Sequence, residues 1–197
     1  MDRVDLITPP PAAAQVLTAG DVKPFARVTH SAEDALFPGF VQSAVTAAEG
    51  WMQRQLLEAT FERVLDCFPS CQGAIRLLPG PLIQVDSVKY KDVAGVEQTL
   101  VLDDDYTVIK PLGPKAEAGL VVPISDWPVT QEGVPDTVRV RFTAGYGQEP
   151  AAIPPSILEA LKKGAAEAWA RREQADPLAA MVCDLEDFRL EADEFRR

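Results

Sequence analysis

The chain has 197 residues, 47% of them hydrophobic and 25% charged, with a formal net charge of −11 and an isoelectric point near 4.6. That length supports one sizeable core with arms. The acidic balance argues against tight DNA binding, which works by neutralising phosphates with Lys and Arg.

No apolar run is long enough to span a membrane. The start, MDRVDLITPPPAAAQVL, lacks a signal peptide's basic opening and continuous apolar core. A cytosolic origin is therefore expected. Three cysteines, Cys67, Cys71 and Cys183, do not form a disulfide framework in such a chain, and His30 is the single histidine. Zinc is not expected from so small a ligand set.

Residues 1–17 read as a flexible arm, because Pro9, Pro10 and Pro11 favour extended polyproline geometry and Ala12 to Ala14 offer little to bury. Thr18 and Asp21 form a helix-start signal, and Pro24 limits that helix to one or two turns. Ser31 and Asp34 form a second start signal. Behind it lies a long helical stripe through Val41, Ala44, Val45, Ala48 and Met52, with Pro38 in its first turn or kinking it. From Ala59 the period changes to strands. Pro79-Gly80-Pro81 separates two of them, Ala94-Gly95 turns into VEQTLVL, and Asp103-Asp104-Asp105 turns into YTVIK. The three aspartates lack the remaining ligands of a calcium loop, so a turn is expected.

The stretch VRVRFTAGYG then alternates Val138, Val140 and Phe142 with Arg139, Arg141 and Thr143. This predicts a strand whose arginines face solvent or a subunit interface. Pro154 and Pro155 open a last long helix with Ile157, Leu158, Leu161, Ala165, Ala168 and Trp169 on its apolar side. Gly164 sits mid-helix, which costs about 1 kcal/mol relative to alanine and calls for a packing reason. Residues 184–197 hold six acids and three arginines. Leu185, Phe188, Ala192 and Phe195 recur at helical spacing, which predicts an amphipathic helix with a narrow stripe. The stripe either packs on its own domain or docks on a neighbour, and docking is the expectation.

Helices, then about six strands, then a helix, without βαβ alternation, give an α+β domain with a mostly antiparallel sheet. The expected division is an arm at 1–17, a domain at 18–172 and an acidic arm at 173–197. No nucleophile elbow, phosphate loop, dinucleotide fingerprint or metal-protease motif is present. The residues alone therefore point to a binding or assembly protein without catalytic activity, cofactor or metal.

Several stretches, in their order and spacing, carry a resemblance. They are GWMQRQLLEATFERVLDCFP, IRLLPGPLIQVDSVKYKDVAGVEQTL, DDDYTV, DWP and VRVRFTAGYG followed by IPPSILEALKKGAAEAWARRE. Together they resemble the head–tail connector (adaptor) proteins of tailed bacteriophages, relatives of which occur in prophages and gene transfer agents. The resemblance covers roughly residues 18–173. Pro24 and Pro38 interrupt helices that are usually cleaner in that family, and the resemblance does not extend to the acidic C-terminal arm.

The resemblance implies a structural virion protein of the neck, made in the bacterial cytoplasm. It would form a dodecameric ring beneath the portal, extend the DNA channel without binding DNA specifically, and present a surface to the next neck or tail-completion protein. Under it, Arg139, Arg141 and Gly164 are expected at the subunit interface and the C-terminal stripe on the portal or a ring neighbour. The alternative class is a non-viral acidic binding module or accessory subunit, again without a membrane or an enzyme activity.

Overall fold

A computed structural model describes residues 2–12, 16–70, 72–172 and 175–191. The chain divides into two compact units. Among the described residues, one holds 2–9 and Ala59–Gly145, the other Pro10–Glu58 and 146–191. The expected continuous domain at 18–172 is thus replaced by two units, the helical one assembled from both sides of the strand-forming stretch.

The strand unit contains β1 (Arg3–Thr8), β2 (Ala59–Leu65), β3 (Ile75–Leu77), β4 (Leu82–Lys91), β5 (Glu97–Leu100), β6 (Tyr106–Ile109), β7 (Gly119–Pro123) and β8 (Val138–Ala144). A five-stranded sheet has the order β1-β2-β8-β4-β5 and a three-stranded sheet the order β3-β7-β6. Every ladder between named strands is antiparallel. The α+β class stands, with eight strands among the described residues in place of about six.

Register follows alternation. Phe61 sits opposite Phe142, their rings stacked at 5.7 Å, and Val138, Val140, Val88, Leu77 and Val121 fill the same core. Phe68 and Trp127 stack at 4.5 Å, and the Trp127 indole N–H donates to the Gly73 carbonyl. Gly119 permits close approach, since a Cβ there would lie 2.3 Å from Leu82 Cδ2. The β4–β5 turn is tied by the Asp92 carboxylate, which accepts from the Ala94 and Val96 amides. Gly95 takes the positive φ of 80° that this turn needs.

The arm expected at 1–17 is corrected. Residues Arg3–Thr8 form an edge strand paired to β2. Asp2 pairs with Arg63 at 2.6 Å and Arg3 with Asp136 at 2.5 Å. Val16 and Leu17 are buried in the helical core.

The helical unit contains α1 (Ala19–Ala26), α2 (Phe37–Met52), α3 (Pro155–Arg171) and the single turn α4 (Val182–Leu185). Asp21 accepts from the amide of Thr18, as the start signal requires, and also from its hydroxyl. Pro24 lies inside the eight-residue α1, and Pro38 occupies the first turn of α2. The apolar stripes of α2 and α3 form one core with Leu56, Met181 and Leu185, and Phe37 stacks on Trp169 at 6.4 Å.

Candidate assembly surfaces

The C-terminal segment is held within the helical unit. Leu185 is fully buried and Phe188 is 5% exposed. Met181 fills a notch on α3: a Cβ on Gly164 would lie 2.4 Å from its Sδ. The Arg54 side chain, itself buried, donates its Nε–H to the Phe188 carbonyl. The Leu190 amide donates to the Met52 carbonyl at 2.9 Å, and Arg189 lies over Trp51 at 5.2 Å. Lys163 pairs with Asp184 at 2.7 Å on the surface.

Two expectations are therefore corrected. Leu185 and Phe188 belong to the core of their own unit and present no docking stripe. Gly164 answers to Met181 of the same chain, and its missing side chain serves an internal contact. The helix expected over 184–197 is likewise shorter. A 3-10 turn follows α4 through Glu186–Phe188, and Arg189 is extended, with φ −68° and ψ 129°. Ala192 and Phe195 lie outside the described residues.

Arg139 and Arg141 are exposed on β8, as the alternation requires, while Val138, Val140 and Phe142 are buried. Arg141 meets Glu62 across the ladder at 3.0 Å. On the same face Lys89 pairs with Glu97 at 3.0 Å. This lysine holds the Glu97 carboxyl below its usual range through a hydrogen bond. Hydrogen bonding to Arg3 likewise lowers the Asp136 carboxyl. The face carries charges of both signs, with Arg141 and Lys89 paired inside the chain.

The apolar surface lies elsewhere. On β1, Val4, Leu6 and Ile7 are 41%, 52% and 43% exposed. Around β5 the exposed hydrophobic residues are Val93, Val96, Val101 and Leu102, beside the exposed Glu97, Gln98 and Thr99 of the strand itself. RVDL alternates as a strand does, whereas the prolines that follow favour extended, unpaired geometry.

Within the helical unit a cavity of about 220 Å³ opens beside Pro10, Val16, Gln42, Val45, Glu49 and Leu57. Glu49 accepts there from the Leu56 amide and the Gln55 side chain, and burial pushes its carboxyl upward. The carboxylate thus ties the turn after α2. Burial also raises the Tyr146 hydroxyl, partly offset by Arg54.

Among the described residues no three His, Cys, Asp or Glu side chains group so as to hold a metal ion. Cys67 and Cys183 are free thiols at the surface, and His30 is exposed. The three aspartates form the expected turn, in which Asp105 accepts from the Val101 amide at 2.7 Å and Asp103 takes a φ of 67°. No described helix is long and apolar enough to cross a membrane.

No protein-family model and no curated protein matches the chain. Solved structures do. A chain in the neck of an empty gene transfer agent particle, computed with C6 symmetry, superposes with a TM-score of 0.77 at 21% identity, covering 99% of each chain. A chain from the virion of a native gene transfer agent particle gives 0.76 at 21%, covering 98% of this chain and 97% of that one. A chain in the neck of a native particle, computed with C12 symmetry, gives 0.74 at 20%, covering 99% of both. From edge strand to C-terminal segment, this chain has the fold of chains found in the necks and virions of gene transfer agent particles.

Proposed function

We propose that this protein is a non-catalytic structural subunit of a virion neck, a head–tail connector that forms a homo-oligomeric ring. The observation that carries the proposal is the superposition over 99% of both chains with a neck chain in a C12-symmetric assembly.

The finer assignment is a dodecamer beneath the portal, continuous with the DNA channel and facing the next neck or tail-completion protein. A net charge of −11 suits a wall along which DNA slides, because acidic surfaces repel phosphates. Arg139 and Arg141, exposed on β8, are the proposed polar subunit contact. Leu185 and Phe188 being internal, Ala192 and Phe195 are the part of the C-terminal stripe left for the portal.

The test is deletion of the gene in the bacterium that encodes it. Loss of the connector is expected to yield filled heads and separate tails, restored to joined particles by the gene in trans. Joined particles without the protein would refute the proposal.

A further inference from the structure

Gln42, Val45 and Glu49 stand three and four positions apart on α2 and so share one face of the helix. That face forms a wall of the cavity of about 220 Å³ in the helical unit, with Pro10 and Leu57 on the other sides. The volume is several times what one water takes, about 30 Å³. Val45 and Leu57 are buried and apolar. Glu49 uses only one of its carboxylate oxygens for the fold. Its Oε1 accepts from the Gln55 side chain at 2.8 Å and from the Leu56 amide at 2.9 Å. Among the described residues its Oε2 has no hydrogen-bond or ion partner. The Gln42 side-chain N–H donates to Thr46 at 3.1 Å, which leaves the Gln42 carbonyl oxygen as an acceptor. None of the described lining residues is Lys, Arg or His.

We infer that this cavity binds a guanidinium group on a short alkyl stem, with Glu49 Oε2 as its counter-ion and the apolar walls around the stem. A half-buried carboxylate costs free energy unless a partner balances it, and burial already pushes the Glu49 carboxyl upward. A cation at Oε2 offsets that cost through a charge-assisted hydrogen bond. Guanidinium suits the site better than ammonium, because it is more weakly hydrated and loses less on leaving water. Two sources carry this chemistry, a free guanidino compound and an arginine side chain of another neck subunit. The site belongs to the folded chain and does not depend on the ring reading above.

The test is a titration of the 15N-labelled full chain with methylguanidinium, followed by NMR at the Leu56 amide and the Gln55 side-chain amide, which bond the same carboxylate. The expected result is a saturable shift of both signals in the millimolar range, within the ceiling for so small a ligand. Methylurea, neutral and of the same shape, is expected to give no saturable shift. Glu49→Gln is expected to weaken methylguanidinium by at least about tenfold, the equivalent of one charge-assisted hydrogen bond. No saturable shift with methylguanidinium, or equal binding of methylurea, or equal binding by the variant, would overturn the inference. The source is read from a neck map that shows side chains. Density in the cavity joined to another subunit assigns an arginine, separate density assigns a free compound, and an empty cavity would overturn the inference. Absence of the chain from the neck would overturn the neck reading alone, while the titration decides the site.

Discussion

Replacing Phe188 by alanine separates an internal segment from a docking arm. The ring is 5% exposed and packs in the helical core beside fully buried Leu185. The Phe188 carbonyl that receives Arg54 belongs to the backbone, so the substitution removes only side-chain packing. A buried Phe→Ala change costs about 3–5 kcal/mol through lost transfer energy and the cavity left behind. With a urea dependence of about 2 kcal/mol/M for a unit of this size, the midpoint falls by roughly 1.5–2.5 M. Fluorescence reports the unit directly, since Trp51 and Trp169 pack against this core and Trp127 against the other. The measurement is made with Trp127→Phe in both proteins. Asp184→Ala, which breaks only the exposed pair with Lys163, is the control and costs at most about 1 kcal/mol. A midpoint shift below about 0.3 M for Phe188→Ala would show that the segment does not belong to the fold.

Gly164→Ala and Met181→Ala are expected to couple, because an added Cβ meets the Met181 sulfur at 2.4 Å. In urea unfolding the double variant should be more stable than the sum of the singles by at least about 0.5 kcal/mol, and strict additivity would refute the notch. Glu49 has a folded-state value raised above the ordinary glutamate range by burial. Its stabilising contribution is therefore full below that ordinary range and lost as pH rises through the raised value. Glu49→Gln should remove this component, so that the stability difference between wild type and variant shrinks in the variant's favour from pH 5 to pH 8. A difference that does not change with pH in urea titrations would contradict this. Removing residues 2–8 should destabilise the strand unit by about 2 kcal/mol, from partial burial of Val4, Leu6 and Ile7, read by Trp127 fluorescence. A flexible arm would leave that transition in place.

Much of the fold was legible because periodicity is local. Val138 to Phe142 alternate over one strand, and Ile157 to Ala168 repeat over one helix, so each face declares itself within a few residues. The turns at Asp92–Gly95 and Asp103–Asp105 declared themselves through side chains that bond their own backbone. What escaped was non-local. β1 has few apolar positions, all half-exposed, and its strand state depends on β2, which lies far along the chain. The same holds for the C-terminal segment. The spacing of Leu185 and Phe188 marks them as one face, but only Gly164, Met181 and Arg54 decide what that face meets. Helical spacing continues to Phe195 on paper, yet the backbone leaves the helix at Arg189. The split into two units carries no shift in composition, since the helical core is drawn from both ends of the chain. Of the candidate assembly residues, Arg139 and Arg141 were placed correctly at the surface by alternation alone.

The most direct measurement is a cryo-electron microscopy map of the particle neck from the bacterium that encodes this chain, resolved well enough to fit both units. The expected result is a closed ring of copies of this chain between portal and tail, twelve in number. A neck in which the chain is missing, or stands as a single copy at the vertex, would contradict the assignment.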